Sequence, residues 1–311
     1  MKRWHQVVAA LLLASTVVYA QAGRGGDGQA PGGRGGQGRG GGQGRGGGGG
    51  GGGVVSTADL TVVDGWGRPL TDPLGGKPPG PAPARNIAGM WEPADGPGAG
   101  IQANGPSSMP SDGKSEPPYT PAGKAAYDSH HALYGYRAVL PSMSNDPRDR
   151  CDPLGFPRAN FYQLRHTRFI QEPNQVVILY QFEKRYRVIW TDGRTLPQNP
   201  DPRWYGYSVG RWEDDYTFVV ETVGMDDRTW LDSSGDPHST ELRVQERYRR
   251  VNQNTLELTV IINDPKVYTK PWMARNRLPL RLMPQGTDLM EMIPSASEAQ
   301  AYQQVISSQT K

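Results

Sequence analysis

Cysteine is almost missing from this chain: Cys151 is the one such residue among 311. A single thiol excludes an internal disulfide framework, so any folded body must rest on apolar burial and backbone pairing. Cys151 itself is expected to be a partly buried small residue. Long apolar runs are missing too. The longest, Val7 to Val18, is about twelve residues, short of the roughly 20 that cross a bilayer as a helix. No cysteine follows that run, which excludes a lipoprotein anchor. Histidine is scarce, at five residues, and none falls at metal-ligand spacing from His238. An excess of one charge is also lacking in most of the chain. The net +3 comes from Lys2, Arg3, Arg24, Arg34, Arg39 and Arg45 near the start, and residues 54–311 sum to −2. A near-neutral body offers no footprint for nucleic acid.

What is present begins with a leader. Lys2, Arg3 and His5 precede the apolar run and Ala20-Gln21-Ala22 follows it, the arrangement of a secretory signal cleaved after Ala22. Residues 1–22 are therefore expected to be a signal peptide. The mature protein is expected to be periplasmic or extracellular, with no transmembrane span after cleavage. Residues 23–53 hold 21 glycines and almost nothing apolar, so they read as a disordered Gly/Arg-rich tether. Its Arg-Gly-Gly runs are like those that bind RNA, but an exported chain meets none. Loose contact with anionic envelope polymers is the expectation instead.

Residues 54–118 are dense in Pro and Gly, with ordered pieces expected only at Leu60–Trp66 and Asn86–Glu92. A short helix follows, with Thr120 as N-cap and Pro121 at its first position, where the missing N–H costs nothing. Residues 119–294 form the β domain. Residues 295–311 read as a short helix and tail, with Ser295 and Glu298 spaced as a capping box.

Apolar and β-branched runs recur from Val176 to Phe182, Tyr186 to Trp190, Tyr207 to Trp212, Thr217 to Val223, Leu242 to Val251 and Leu256 to Ile262. Further strands are expected at Phe169–Gln171, Leu278–Leu282 and Leu289–Met292. Connections as short as Glu183-Lys184 and Asn252-Gln253-Asn254 allow only antiparallel pairing. Leu256, Leu258, Val260 and Ile262 alternate with more polar neighbours, so one face of that strand is buried. The fold class expected is mainly β: an antiparallel up-and-down meander closed as a lipocalin-like barrel or a strongly curled sheet. Gly89-Met90-Trp91 resembles the Gly-x-Trp with which lipocalin-like barrels seal one end.

Several stretches together resemble a family of exported bacterial proteins without an established activity. They are Cys151-Asp-Pro-Leu-Gly-Phe-Pro157-Arg158, Thr229-Trp-Leu-Asp232 through Asp236-Pro-His238-Ser239, Glu246-Arg-Tyr-Arg-Arg250, and Asp264-Pro265 through Tyr268-Thr-Lys-Pro-Trp272. The resemblance implies an exported domain and leaves its chemistry open. Relatives often carry a late cysteine where this chain reads Met292-Ile293-Pro294, so any bridge from it to the position of Cys151 would be absent here.

No cofactor motif occurs. The densest polar stretch is the loop from Asp226 to Glu241. Asp232 and His238 are its catalytic candidates, as a base held by an acid, and Asp236 with His238 are its metal candidates. Hydrogen bonding that orders the loop is the leading reading of the same residues, ahead of either chemistry. His130-His131 is expected to be solvated, and His166, between Arg165 and Arg168, to be an exposed strand residue. A basic and aromatic set could grip a ligand: Arg158, Tyr186, Trp190, Arg194, Trp212 and Arg247. Cross-strand pairing of those arginines with Asp and Glu is the competing reading. The functional expectation is a small apolar or amphipathic ligand bound in the cell envelope. An enzyme built on Asp232 and His238, and a structural envelope protein, remain as alternatives.

Overall fold

Alternation decides the architecture. In the computed structural model, which describes residues 66, 77–94, 116–134, 137–161 and 166–309, alternate residues of strands such as Gln175–Tyr180, Arg243–Arg250 and Thr255–Asn263 are buried and the others face outward. The expected signal peptide, the tether and most of Leu60–Trp66 lie outside the described residues, which belong to the unit Val55–Lys311. The strands are β1 (Gly89–Pro93), β2 (Thr167–Gln171), β3 (Gln175–Tyr180), β4 (Tyr186–Trp190) and β5 (Tyr207–Trp212), then β6 (Thr217–Val223), β7 (Arg243–Arg250), β8 (Thr255–Asn263) and β9 (Trp272–Leu282). They pair in chain order, and β9 returns to β1 to close a barrel. Closure removes the exposed edges that a sheet of this size would otherwise present.

Every ladder is antiparallel except one, and that exception corrects the expected uniform meander. β4 and β5 run parallel over Ile189↔Ser208 and Trp190↔Val209. The connection 191–206 is long enough to carry the chain back along the barrel, as parallel pairing demands. The strand expected at Leu289–Met292 does not form. Met292 makes a single bridge to Phe182, because both edges of the sheet are already used in closure.

The two ends of the barrel differ. At one, the tight turns 172–174, 213–216 and 251–254 join β2–β3, β5–β6 and β7–β8. Trp91 fills that end: it is fully buried, its Nε1 donates to Ile87 O at 3.0 Å, and the Arg250 guanidinium lies 4.6 Å from its ring centroid. The other end carries the connections 94–166, 224–242 and 264–271. Between the ends the core is lined by Phe169, Ile178, Ile189, Phe218, Val220, Leu258 and Val260, all inward-facing.

Helix α1 (Pro121–Ser129) closes over the long-loop end. Its N-cap Thr120 accepts from Gly123 N at 3.0 Å and Pro121 opens the first turn, as the sequence predicts. Gly123 lets the helix settle on the 264–271 connection, since a Cβ there would collide with Val267 O. Ser295 accepts from Glu298 N at 3.2 Å at the start of α2 (Ala296–Gln309). Among the described residues no helix is long and apolar enough to cross a membrane.

Candidate functional site

The inner faces of β3, β4 and β7 bring polar side chains together toward the long-loop end. On β7, Val244 and Tyr248 mark the buried parity, so Glu246 between them also points inward. On β4 the same rule turns Arg187 and Ile189 inward. Arg187 Nη2 donates to Glu246 Oε2 at 2.5 Å across the barrel, and both side chains are almost wholly excluded from solvent. Glu246 Oε1 also accepts from Tyr248 Oη and Asn160 Nδ2, each at 2.6 Å. Burial works against the charge of Arg187, but Glu246, Tyr180 and Tyr248 together outweigh burial and hold the guanidinium protonated. Burial, with Glu246 behind it, pushes the Tyr248 phenol well up.

This centre is covered by the segment Leu154–Phe161, whose described residues are all buried. Phe156 lies under Arg187, 4.0 Å from guanidinium carbon to ring centroid. Phe161 lies under Arg275 of β9 at 5.5 Å, and its carbonyl accepts from Arg275 Nη2 at 3.3 Å. Four anchors hold the segment. Leu154 N donates to the Glu183 carboxylate at 3.1 and 3.2 Å, Phe156 N to Trp204 O at 2.8 Å, and Asn160 to Glu246, while Arg158 grips Asp146 through two bonds of 2.8 and 2.5 Å. Glu183 and Lys184 both adopt positive φ in the β3–β4 turn, strain that the buried Glu183 carboxylate helps to hold in place.

Several buried donors here find no acceptor among the described residues: Arg187 Nε and Nη1, the Tyr180 hydroxyl, Arg275 Nε and Trp272 Nε1. Groups of this kind are rare in folded interiors, because each one left unmatched is costly.

In the loop 224–242 the catalytic and metal candidates bond to the loop itself. His238 is buried. Its Nε2 meets Thr229 Oγ1 at 2.8 Å and its Nδ1 meets Ser239 O at 3.2 Å, so its partners are a hydroxyl and a carbonyl. Burial lowers its pKa and favours the neutral ring. Asp232 accepts from Ser234 N at 2.9 Å, Ser234 Oγ at 2.7 Å and Asp236 N at 3.2 Å, an arrangement that orders the turn. Asp236 accepts from the Tyr119 hydroxyl. Burial raises the pKa of both carboxyls, and the charge of Asp232 pushes Asp236 further up. Among the described residues no group of three or more His, Cys, Asp or Glu is placed to hold a metal ion.

The six expected ligand contacts do not converge. Tyr186 and Trp190 occupy the outward parity of β4, with Tyr186 66% exposed. Arg194 stacks on Trp190 at 3.8 Å and pairs with Asp192, Arg247 pairs with Glu213 on the outside, and Trp212 packs against Phe218. Arg158 is buried with Asp146. Arg187, Tyr248 and Asn160 converge on Glu246 instead, and three of these four, Arg187, Glu246 and Tyr248, sit one position away from Tyr186 or Arg247. A carboxylate on the parity of Val244 and Tyr248 was the signal in the sequence. Two histidines also differ from expectation. His166 is buried, with Nε2 2.6 Å from Glu92 Oε2, and His130 stacks on Trp230 at 4.6 Å and contacts Gly235 O at 2.7 Å. Arg165 lies outside the described residues. Cys151 is a half-buried free thiol that ends a 3₁₀ turn.

Compared with protein-family models, with curated proteins and with solved structures, the chain matches none.

Proposed function

We propose that this is an exported, lipocalin-like binding protein whose barrel holds a small amphipathic molecule at the long-loop end. The observation that carries the reading is the set of buried donors on Arg187, Tyr180 and Arg275 that find no acceptor among the described residues, set in a wall of Phe, Ile, Leu and Val. An apolar interior with a few placed polar groups is the usual chemistry of a small-molecule pocket. The segment Leu154–Phe161 stands over that position, and the ligand enters by displacing Phe156 and Phe161. The leader-like residues 1–22 support work outside the cytoplasm. Reading the loop 224–242 as an enzyme centre is less supported, because His238 bonds to Thr229 and Ser239 while Asp232 serves Ser234 and Asp236.

The test is organic extraction of natively purified protein, with mass spectrometry of the extract and of the intact complex. One small amphipathic species, near stoichiometric, is the expected result. An empty protein that also takes up no apolar dye would end the reading.

A further inference from the structure

We propose that the occupant of the barrel carries an anionic head group of the carboxylate class, received by Arg275 and Arg187; this rests on the binding reading above and names its ligand class. The argument is one of charge and of hydrogen-bond sense. Arg187 has its counter-ion in Glu246. Arg275 has none: it is 4% exposed, makes no ion pair with any described carboxylate, and its one acceptor is the Phe161 carbonyl at 3.3 Å. Asp232 acts on it only at longer range, and burial pushes the guanidinium down to about 9.

A guanidinium has donors and no acceptor, so Arg275 Nε and Arg187 Nε and Nη1, unmatched among the described residues, can be satisfied only by a group that accepts. A second positive charge, such as an ammonium, is excluded by repulsion. A neutral alcohol accepts but leaves the charge of Arg275 unanswered. A carboxylate does both, and its planar oxygens match the guanidinium fork.

The register gives the place. Glu246 pairs with Val260, and Val260 pairs with Arg275, so the lone cation and the ion pair share one row across β7, β8 and β9, about 10 Å from end to end. Asn160 and Phe161 lie over that row. The Phe161 carbonyl is the chain's own stand-in for the head group, and the Phe161 and Phe156 rings stand where the apolar body of the ligand goes.

The experiment uses the full chain, stripped of bound lipid and loaded with Nile red, a neutral apolar dye. Dodecanoate, dodecanol and dodecylamine are then titrated at about pH 7.5 and dye displacement is followed. Dodecanoate is expected to displace at a concentration about 10-fold below that of dodecanol, the scale of a charge-assisted over a neutral contact, with the amine weakest. In Arg275→Met the acid and the alcohol are expected to come within about 3-fold of one another. If the variant does not fold, the acid-to-alcohol ratio of the unmodified chain decides alone. Equal or tighter binding of dodecanol overturns the anionic head group while the binding reading survives. Failure of the dye and of all three probes to bind takes both down.

Discussion

The two ends of this barrel close by different physics. At the tight-turn end, Trp91 is capped by Arg250 and backed by Ile87, and the turns are so short that little else can enter. Each polar group of that plug has a partner: the indole N–H meets Ile87 O, and Arg250 meets the carbonyls of Asn86, Asn252 and Gln253. At the long-loop end the closure is polar, buried and incompletely matched, with Arg187, Arg275 and Tyr180 holding spare donors beneath Leu154–Phe161. The first end is built to stay shut. The second carries the unmatched groups that a ligand could satisfy, and its cover is a segment of chain with separate anchors.

The comparison can be sharpened by substitution, and the largest effect is expected at the buried ion pair. Glu246→Ala leaves Arg187 charged and unanswered, at a cost of about 3–5 kcal/mol in urea unfolding, whereas Arg187→Met with Glu246→Leu should recover much of that loss. A double variant no better than the single one would show that Tyr248 and Asn160, not charge, hold the centre together. Trp91→Ala at the opposite end should cost about 3–5 kcal/mol by opening a cavity. That loss is apolar in origin and should be the same at about pH 5 and pH 7.5. A clear pH dependence would erase the distinction drawn between the ends.

His238→Ala comes next, at about 1–3 kcal/mol, because Thr229 and Ser239 lose a buried partner. Burial depresses the pKa of this histidine below its ordinary 6.5. Its contribution is therefore present above pH 6.5 and lost as pH falls through the folded value. The gap between wild type and the variant should narrow on acidification, and unfolding curves that overlay at pH 7.5 would restore His238 as a catalytic candidate.

Asp236 works in the opposite sense. Its folded pKa lies well above the unfolded 3.8, so the folded chain keeps a proton that the unfolded chain has released, and stability falls as pH rises between the two values. Asp236→Asn cannot ionise and should flatten that part of the stability profile. The smallest effect is expected from deleting Gly25–Gly52, which contributes no apolar burial: a change within about 0.5 kcal/mol by thermal unfolding.

Much of the barrel was legible in local pattern. The runs at β3 through β8 were marked by β-branched content and turn residues, and the α1 cap by Thr120 and Pro121, since these signals act within a few residues. The parallel β4–β5 ladder was not legible, because the connection 191–206 bears no mark of its direction. The site was legible in part. Choosing Tyr186, Trp190 and Arg247 favoured large and charged residues over parity, and a step of one residue on a strand turns a side chain from the inside to the outside. His166 escaped for another reason: its partner Glu92 lies 74 positions earlier, on β1, whose pairing with β2 spans the long connection 94–166.

By itself the sequence determined most of the strands, the buried face of β8, the helix caps and the lack of an internal disulfide, because propensity, period and cysteine count are local or compositional facts. Only the tertiary structure decided that Arg187 would meet Glu246 from 59 positions away, that Asn160 would reach the same carboxylate from 86, and that Arg275 would be buried with no counter-ion among the described residues. Those meetings depend on closure. Folding β9 back onto β1 makes one interior out of nine strand faces, and what each inward side chain finds there is set by the strands across the barrel, not by its neighbours in the chain.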